Sequence, residues 1–137
     1  MKKLLGIIVL GLLWCNLSLA DDLKGKKLFC TNTGKYMSFE FKFFSRVKFI
    51  DIDPWAGDNY MDKESYDSGT IKYEVEPGRI LLKYKNWRGL YIDRKTLKIH
   101  PSTSYSCELV PEHIDLDKKM KNIYNNLVKS IDSENKI

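Results

Sequence analysis

The stretch from residue 51 to residue 67 concentrates acidic side chains, and its opening resembles a calcium-binding loop. Its carboxylates belong to Asp51, Asp53, Asp58, Asp62, Glu64 and Asp67. Calcium binds several oxygen ligands, and an EF-hand loop supplies them at fixed alternate positions around a glycine. Trp55 stands where a third oxygen ligand belongs, and Ala56 stands where the glycine belongs. The spacing therefore predicts a solvated acidic loop with no metal ligands.

Aromatic side chains and an arginine fall in or beside the predicted loops. They are Trp55, Tyr60, Trp87, Arg88 and Tyr91. Such residues are the usual anchors of interfaces, and loops on a rigid scaffold present them to partners. Tyr and Trp also lie half-buried at the edges of cores with their polar ends in water, so edge packing is the alternative. We predict these five residues as the binding residues.

The sequence carries no recognisable catalytic motif. His100 and His113 are the only histidines, and no GxSxG, HExxH, phosphate-binding or dinucleotide-binding pattern occurs. We therefore predict no catalytic residue, no cofactor and no enzyme. A hydrolase built from loop carboxylates is the remaining alternative of that class.

Cys30 and Cys107 form an even pair in the part of the chain that follows the leader described below. An even pair in an exported chain indicates a disulfide, because the compartment beyond the inner membrane is oxidising. A metal or redox role requires a CxxC pair or nearby histidine ligands, which the sequence lacks. We predict that the two cysteines are bonded and join the first and last strands of the sheet described next.

Eight short segments show the period-two alternation or apolar content of β-strands, and turn residues separate them. They span residues 26–31, 36–44, 47–53, 70–76, 79–85, 90–92, 97–99 and 104–110. In the second segment, one face is predicted to carry Met37, Phe39, Phe41 and Phe43. The short connections favour antiparallel pairing, because parallel strands need long crossovers.

The third segment changes phase along its length. Val47 and Phe49 share one face, whereas Ile50 and Ile52 share the other. Such a switch indicates either a β-bulge or burial on both faces of the strand.

After Pro111 the apolar period lengthens to three and four residues. The resulting stripe contains Leu116, Met120, Ile123, Tyr124, Leu127, Val128 and Ile131. This pattern predicts an amphipathic helix over residues 111–132 with Asp115 as its N-cap, followed by a frayed tail over 133–137. The fold class is thus mainly β, a small antiparallel barrel or sandwich over residues 21–110 with a C-terminal helix packed on it.

Residues 1–20 have the form of a secretory signal peptide. Lys2 and Lys3 precede an apolar run of about a dozen residues, and Ser18 and Ala20 form a small-residue cleavage site. A membrane span needs roughly 20 apolar residues, so this run predicts cleavage and no stable membrane span. The mature chain is expected to be periplasmic or secreted.

The charge of the mature chain gives no indication of nucleic-acid binding. Removing Lys2 and Lys3 reduces the 23 basic residues to 21 against 18 acidic residues, so the net charge falls from +5 to +3. Lysine also greatly outnumbers arginine, which dominates bidentate phosphate and guanine recognition. We predict that nucleic acid is not a partner.

The leader, the segment from Asp21 to Cys30, and the segment from Asp93 to Ile99 followed by Cys107 resemble small exported proteins of AT-rich marine alphaproteobacteria. That resemblance implies export but carries no functional residue. The general plan of eight strands, with a bridge between the first and last, is similar to periplasmic lysozyme inhibitors of the MliC type. The strand count and terminal helix also resemble lipocalins, although the Gly-x-Trp pattern near the first strand is missing.

These observations favour a non-enzymatic binding or interaction module that recognises a protein or a small ligand through its surface loops. The alternative is a carrier that holds a small apolar ligand inside a hollow barrel. Its lining would consist of Phe39, Phe41, Tyr73 and Leu82. Eight strands are compatible with either a filled or a hollow interior, and the apolar volume favours a filled one.

Overall fold

The computed structural model describes residues 23–84, 89–101 and 104–134, and it is mainly β. Eight antiparallel strands form a nearly closed barrel, and one C-terminal helix packs against it. The predicted fold class is confirmed, and the architecture is a barrel rather than a two-sheet sandwich. The predicted signal peptide, residues 1–20, lies outside the described residues.

Strands that are consecutive in sequence lie next to one another around the barrel, and the last two strands, which form the two ends of the sheet, meet at a seam. They are β1 (Lys27–Asn32), β2 (Lys35–Phe41), β3 (Arg46–Ile52), β4 (Tyr66–Val75), β5 (Arg79–Lys83), β6 (Tyr91–Asp93), β7 (Ile99–His100) and β8 (Ser106–Val110). The order in the sheet is β7-β6-β5-β4-β3-β2-β1-β8. At the seam, the Cys107 N–H donates to the Leu97 carbonyl at 2.8 Å and the Ile99 N–H donates to the Tyr105 carbonyl at 3.3 Å.

The barrel interior is filled by the inward side chains of alternating strand positions. They include Phe39, Phe41, Val47, Phe49, Tyr73, Ile80, Leu82, Ile92 and Ile99, all of which are buried. Phe49 packs over Gly69 on the neighbouring strand, where an added Cβ would lie 3.1 Å from the ring. Strand alternation thus supplies a largely apolar interior, as the period-two pattern predicts.

The second apolar cluster lies outside the barrel, beneath α1 (Leu116–Glu134). Ile50 and Ile52 of β3 pack there with Leu116 and Met120 of the helix. The phase change in β3 therefore reflects burial on both faces. An ion pair between Lys48 and Asp117 adds a polar contact between the strand and the helix.

The helix begins at Leu116, five residues after the predicted start at residue 111. The Asp115 carboxylate accepts a hydrogen bond from the Lys118 N–H at 3.2 Å, which confirms Asp115 as the N-cap. Residues 111–114 instead form a turn, in which the Ile114 N–H donates to the Pro111 carbonyl at 3.0 Å. The helix continues to Glu134, so the first two residues of the predicted frayed tail are helical.

The β2–β3 turn departs from the predicted apolar face. β2 ends at Phe41, and the side chain of Phe43 is 60% exposed instead of continuing the inward series. The alternation breaks because the chain turns sharply back, with Phe44 and Ser45 at φ values of 58° and 54°.

The predicted disulfide between Cys30 and Cys107 is present. The two residues are direct cross-strand partners on β1 and β8, so the bond joins strands that are also hydrogen-bonded. It does not close the seam between β7 and β8, as a bond between the two ends of the sheet would. Among the described residues, no helix is long and apolar enough to cross a membrane.

Reducing the disulfide should lower the free energy of unfolding by about 4 kcal/mol, because the bond closes a loop with a sequence separation of 77 residues. The measurement is denaturant unfolding of periplasmically purified protein with and without reductant. Thiol titration of the denatured, unreduced protein should find no reactive group. Two reactive thiols would contradict the bond.

Candidate functional site

One end of the barrel, here called the loop end, carries the longer connections. Successive antiparallel strands alternate in direction, so every second connection lies at the same end of the barrel. The loop end therefore comprises the β1–β2 turn, the β3–β4 loop, and the described residues that flank the β5–β6 and β7–β8 connections. The Asn32 side-chain amide donates to the Ser104 hydroxyl at 3.1 Å. The Tyr84 hydroxyl donates to the Asp67 carboxylate at 2.7 Å. Side-chain hydrogen bonds therefore link neighbouring connections across this end.

The β3–β4 loop, residues 53–65, is held by its own acidic side chains. The Asp53 carboxylate accepts from the Trp55 N–H at 3.0 Å, and the Asp62 carboxylate accepts from the Glu64 N–H at 2.9 Å. The buried Ser65 hydroxyl donates to the Pro54 carbonyl at 3.3 Å. Most residues of this acidic loop are exposed to solvent, and the Asp53 and Asp62 carboxylates also accept from backbone N–H groups, which orders the chain.

Gly57 is required by the packing of this loop. A Cβ added at Gly57 would lie 1.9 Å from Asp62 Oδ2. The carboxylate of Asp62 occupies that space while its two oxygens accept from the N–H groups of Asn59 and Glu64. The glycine therefore allows Asp62 to cap the loop from inside.

This ordered loop presents the exposed aromatic pair Trp55–Tyr60. The side chains are 69% and 36% exposed, and their ring centroids lie 4.6 Å apart at an interplanar angle of 59°. The structure thus brings together two of the five predicted binding residues. Trp87 and Arg88 lie outside the described residues.

Tyr91, the fifth predicted binding residue, belongs to a different cluster. Its ring stacks on His100 with centroids 4.8 Å apart, and the Arg79 guanidinium lies 5.4 Å from its centroid. Leu81 faces Tyr91 across the sheet, and the adjacent Ile92 points into the barrel. Tyr91 is therefore part of the outer wall of the barrel, where it is half-buried.

A cavity of about 60 Å³ lies inside the barrel towards the loop end. It is lined by Met37, Phe39, Phe49, Asp51, Ile71, Tyr84, Leu90, Ile99 and Tyr105. Of the four predicted ligand-lining residues, only Phe39 contributes to it. Phe41 and Tyr73 instead pack edge to face with centroids 5.0 Å apart, and Leu82 is buried in the same core.

Asp51 places a carboxyl group in the wall of this otherwise apolar cavity. It follows Val47 and Phe49 in the inward phase of β3, and its Oδ1 is buried without a hydrogen-bond partner among the described residues. Burial raises the pKa of Asp51 to about 6, with further contributions from the charges of Asp53 and Asp67 and opposition from Lys35. In the sequence, the signal for this role is that Asp51 occupies a position where the alternation of β3 otherwise places apolar side chains. The comparison with a calcium-binding loop did not consider that alternation.

Two tyrosines flank the cavity and are held as neutral phenols. Burial raises the pKa of Tyr105, and the charges of Asp51 and Asp53 add to this effect. The hydrogen bond to Asp67 raises the pKa of Tyr84 to about 12, with smaller contributions from burial and charge. The cavity therefore offers an apolar wall, a carboxyl group and phenolic side chains to any small group that enters it.

The described residues contain no group of three or more histidine, cysteine or carboxylate side chains placed to hold a metal ion. Comparison with protein-family models, curated proteins and solved structures finds no significant match. The geometry of the loop end therefore carries the functional interpretation.

Replacing Gly57 with Ala should destabilise the β3–β4 loop, because the added methyl displaces the Asp62 carboxylate from two backbone N–H groups. We expect a loss of about 1–2 kcal/mol. The measurement is denaturant unfolding, together with the near-ultraviolet circular dichroism of the aromatic side chains. Gly78→Ala is the matched control, since nothing lies within 4 Å of a Cβ added there. Equal stability of the two variants would contradict the assigned packing.

Asp51→Asn should stabilise the protein at neutral pH and have little effect near pH 4. Because burial raises the pKa of Asp51 from 3.8 to about 6, the folded state binds a proton that the unfolded state has released between these values. The protonated Asp51 carboxyl therefore contributes to the free energy of unfolding below about pH 4, and this contribution is lost as the pH rises through about 6. We expect a gain of about 2 kcal/mol at pH 7, after allowance for partial solvent screening.

The measurement is the free energy of unfolding of wild type and variant across this pH range. Asp58→Asn, at an exposed position of the adjacent β3–β4 loop, is the control. Parallel pH profiles for wild type and Asp51→Asn would show that the carboxyl group is not desolvated.

Proposed function

We propose that this protein is a non-enzymatic binding module that recognises a partner protein or a small ligand through the loop end of its barrel. The observation that carries the proposal is the exposed Trp55–Tyr60 pair on an ordered loop. Large aromatic side chains that remain exposed on a folded domain are effective interface anchors, because they exclude water over a large area when a partner covers them.

The order of the supporting loop strengthens this proposal. Hydrogen bonds from Trp55 and Glu64 N–H groups to the Asp53 and Asp62 carboxylates hold the chain before any partner arrives. A preorganised loop loses little conformational entropy on binding, so more of the contact energy appears as affinity. The backbone of Met61 has a φ of 55°, an uncommon conformation for this side chain, and its N–H donates to the Pro54 carbonyl at 2.8 Å.

The second candidate function is small-ligand binding inside the barrel, and the Asp51 carboxyl in the cavity wall favours it. The cavity of about 60 Å³ limits the size of such a ligand. An apolar cavity of about 150 Å³ binds benzene, so this one admits only a smaller group or the end of a larger molecule. A group that donates a hydrogen bond to Asp51 fits best. Because the cavity is too small for most ligands, the loop surface remains the first candidate.

The proposed location is the periplasm or the exterior of the cell. The Cys30–Cys107 bond supports it, because structural disulfides persist in oxidising compartments. The leader over residues 1–20 supports the same location from its sequence. Nucleic acid is not proposed as a partner.

Trp55→Ala combined with Tyr60→Ala should abolish partner binding without lowering the free energy of unfolding. Exposed loop side chains contribute little to stability, whereas truncating a central interface anchor costs about 2 kcal/mol or more of binding free energy. Immobilised wild-type protein is used to isolate proteins from a periplasmic extract. The dissociation constant of each identified candidate is then measured by calorimetry for wild type and variant.

Phe44→Ala is the matched control, because Phe44 is an exposed aromatic residue at the opposite end of β3. It should bind the partner as wild type does. Equal affinity of wild type and the Trp55/Tyr60 variant would contradict the loop-end proposal. Saturable binding of a small hydrogen-bond donor such as methylammonium, lost in Asp51→Asn and retained in the loop variant, would favour the cavity instead.

A further inference from the structure

The end of the barrel opposite the loop end carries a second surface, made of exposed aromatic and basic side chains. It is here called the basic–aromatic patch, and it consists of Lys24, Lys42, Phe43, Phe44, Arg46 and Lys72. Phe43 is 60% exposed and Phe44 is 92% exposed, with ring centroids 6.4 Å apart. The Lys24 ammonium lies 3.7 Å from the centroid of the Phe43 ring. We propose that this patch binds the surface of an anionic lipid membrane.

The basic side chains of the patch are arranged in a row across neighbouring strands. Arg46 of β3 is the direct cross-strand partner of Lys72 on β4, and Lys72 is the partner of Lys83 on β5. The Lys42 N–H donates to the Arg46 carbonyl at 2.7 Å, which brings a further lysine beside the row. Like charges directly opposite each other destabilise a sheet, so the folded chain gains nothing from this arrangement by itself.

The centre of the row is not neutralised by carboxylates. Lys42 pairs with Glu40 at 2.6 Å, and Lys83 pairs with Glu74 at 3.5 Å. In the described part of the chain, Arg46 and Lys72 form no ion pair, and both side chains are exposed. Their positive charge is therefore available to a negatively charged partner.

The exposed rings of Phe43 and Phe44 in the β2–β3 turn indicate which class of negatively charged partner fits the patch. Phe44 adopts a φ of 58°, which is unfavourable for a bulky residue, and its ring is almost fully exposed. The fold thus places an apolar ring in water at a backbone position better suited to glycine or asparagine. A soluble polyanion would use the cations alone. A bilayer with anionic headgroups accepts both the cations at its surface and the rings at the boundary of the acyl chains.

The test is sedimentation of the mature, disulfide-bonded protein with vesicles. Vesicles of phosphatidylcholine with phosphatidylglycerol should bind it, vesicles of phosphatidylcholine alone should bind it weakly, and high salt should release it. Arg46→Gln with Lys72→Gln should weaken binding about 30-fold. Phe43→Ser with Phe44→Ser should weaken it by about tenfold or more. Lys121→Gln with Lys129→Gln, an equal charge loss on the exposed helix face, should change it less than about twofold.

Equal binding to both kinds of vesicle, or equal weakening by the two charge-loss variants, would overturn the proposal. Tighter binding to soluble polyphosphate than to vesicles, unaffected by the phenylalanine changes, would assign the patch to a polyanion instead. Phe44→Trp gives a second measurement that does not depend on the folding of the serine variant. Its emission should be quenched by brominated acyl chains, and an absence of quenching would also overturn the proposal. These results are independent of the loop-end variants.

Discussion

Strand β3 carries buried apolar side chains on both of its faces, and the rest of the fold is arranged around that constraint. Val47 and Phe49 pack inside the barrel, whereas Ile50 and Ile52 pack beneath the helix. A strand buried on both sides needs a neighbour on each edge and a cover on each face. β2 and β4 supply the edges, the barrel interior supplies one cover, and α1 supplies the other. β3 therefore contributes buried side chains to both apolar clusters of this small domain.

The same constraint separates the two candidate surfaces. β3 follows the turn that carries Phe43 and Phe44, and it leads into the loop that holds Trp55 and Tyr60. Seven residues of extended strand span about 20 Å, so a partner on one surface does not cover the other. Because the strand between them is rigidly packed, it can position both surfaces without coupling them through a conformational change.

The secondary structure was largely predictable from the sequence because it depends on local periodicity. The alternation through Phe39 and Phe41 predicted an inward face, and the three- and four-residue spacing from Leu116 onwards predicted the helix. At the end of β2, the alternation of apolar residues continues in the sequence although the strand has ended, and there the predicted inward face was wrong. Phe43 continued the apolar phase in sequence, but the backbone turns before it, and its side chain is exposed. Periodicity contains no information about where a strand ends.

The candidate site was less predictable because it depends on contacts between residues far apart in sequence. The exposure of Trp55 follows from how Asp53, Gly57 and Asp62 fold the loop, and acidic composition alone favours a solvated chain. Asp51 and Tyr105 line the same cavity although they lie far apart in sequence. The basic row is also invisible in sequence, since Arg46, Lys72 and Lys83 become neighbours only through the strand register.

The acidic residues at the loop end illustrate how one residue type serves different physical roles within a few positions. Asp53 and Asp62 are partly exposed, and backbone N–H groups donate to their carboxylates, so they order the loop. Asp51, two positions earlier, is half-buried in an apolar wall, and its Oδ1 atom is buried without a partner among the described residues, so its charged form is disfavoured. The difference arises because β3 ends at Ile52: Asp51 occupies the last inward position of the strand, whereas Asp53 lies in the loop that follows. A carboxyl group whose charged form is disfavoured in an apolar wall gains most when a hydrogen-bond donor reaches it, so Asp51 supports the second proposed function, small-ligand binding in the cavity.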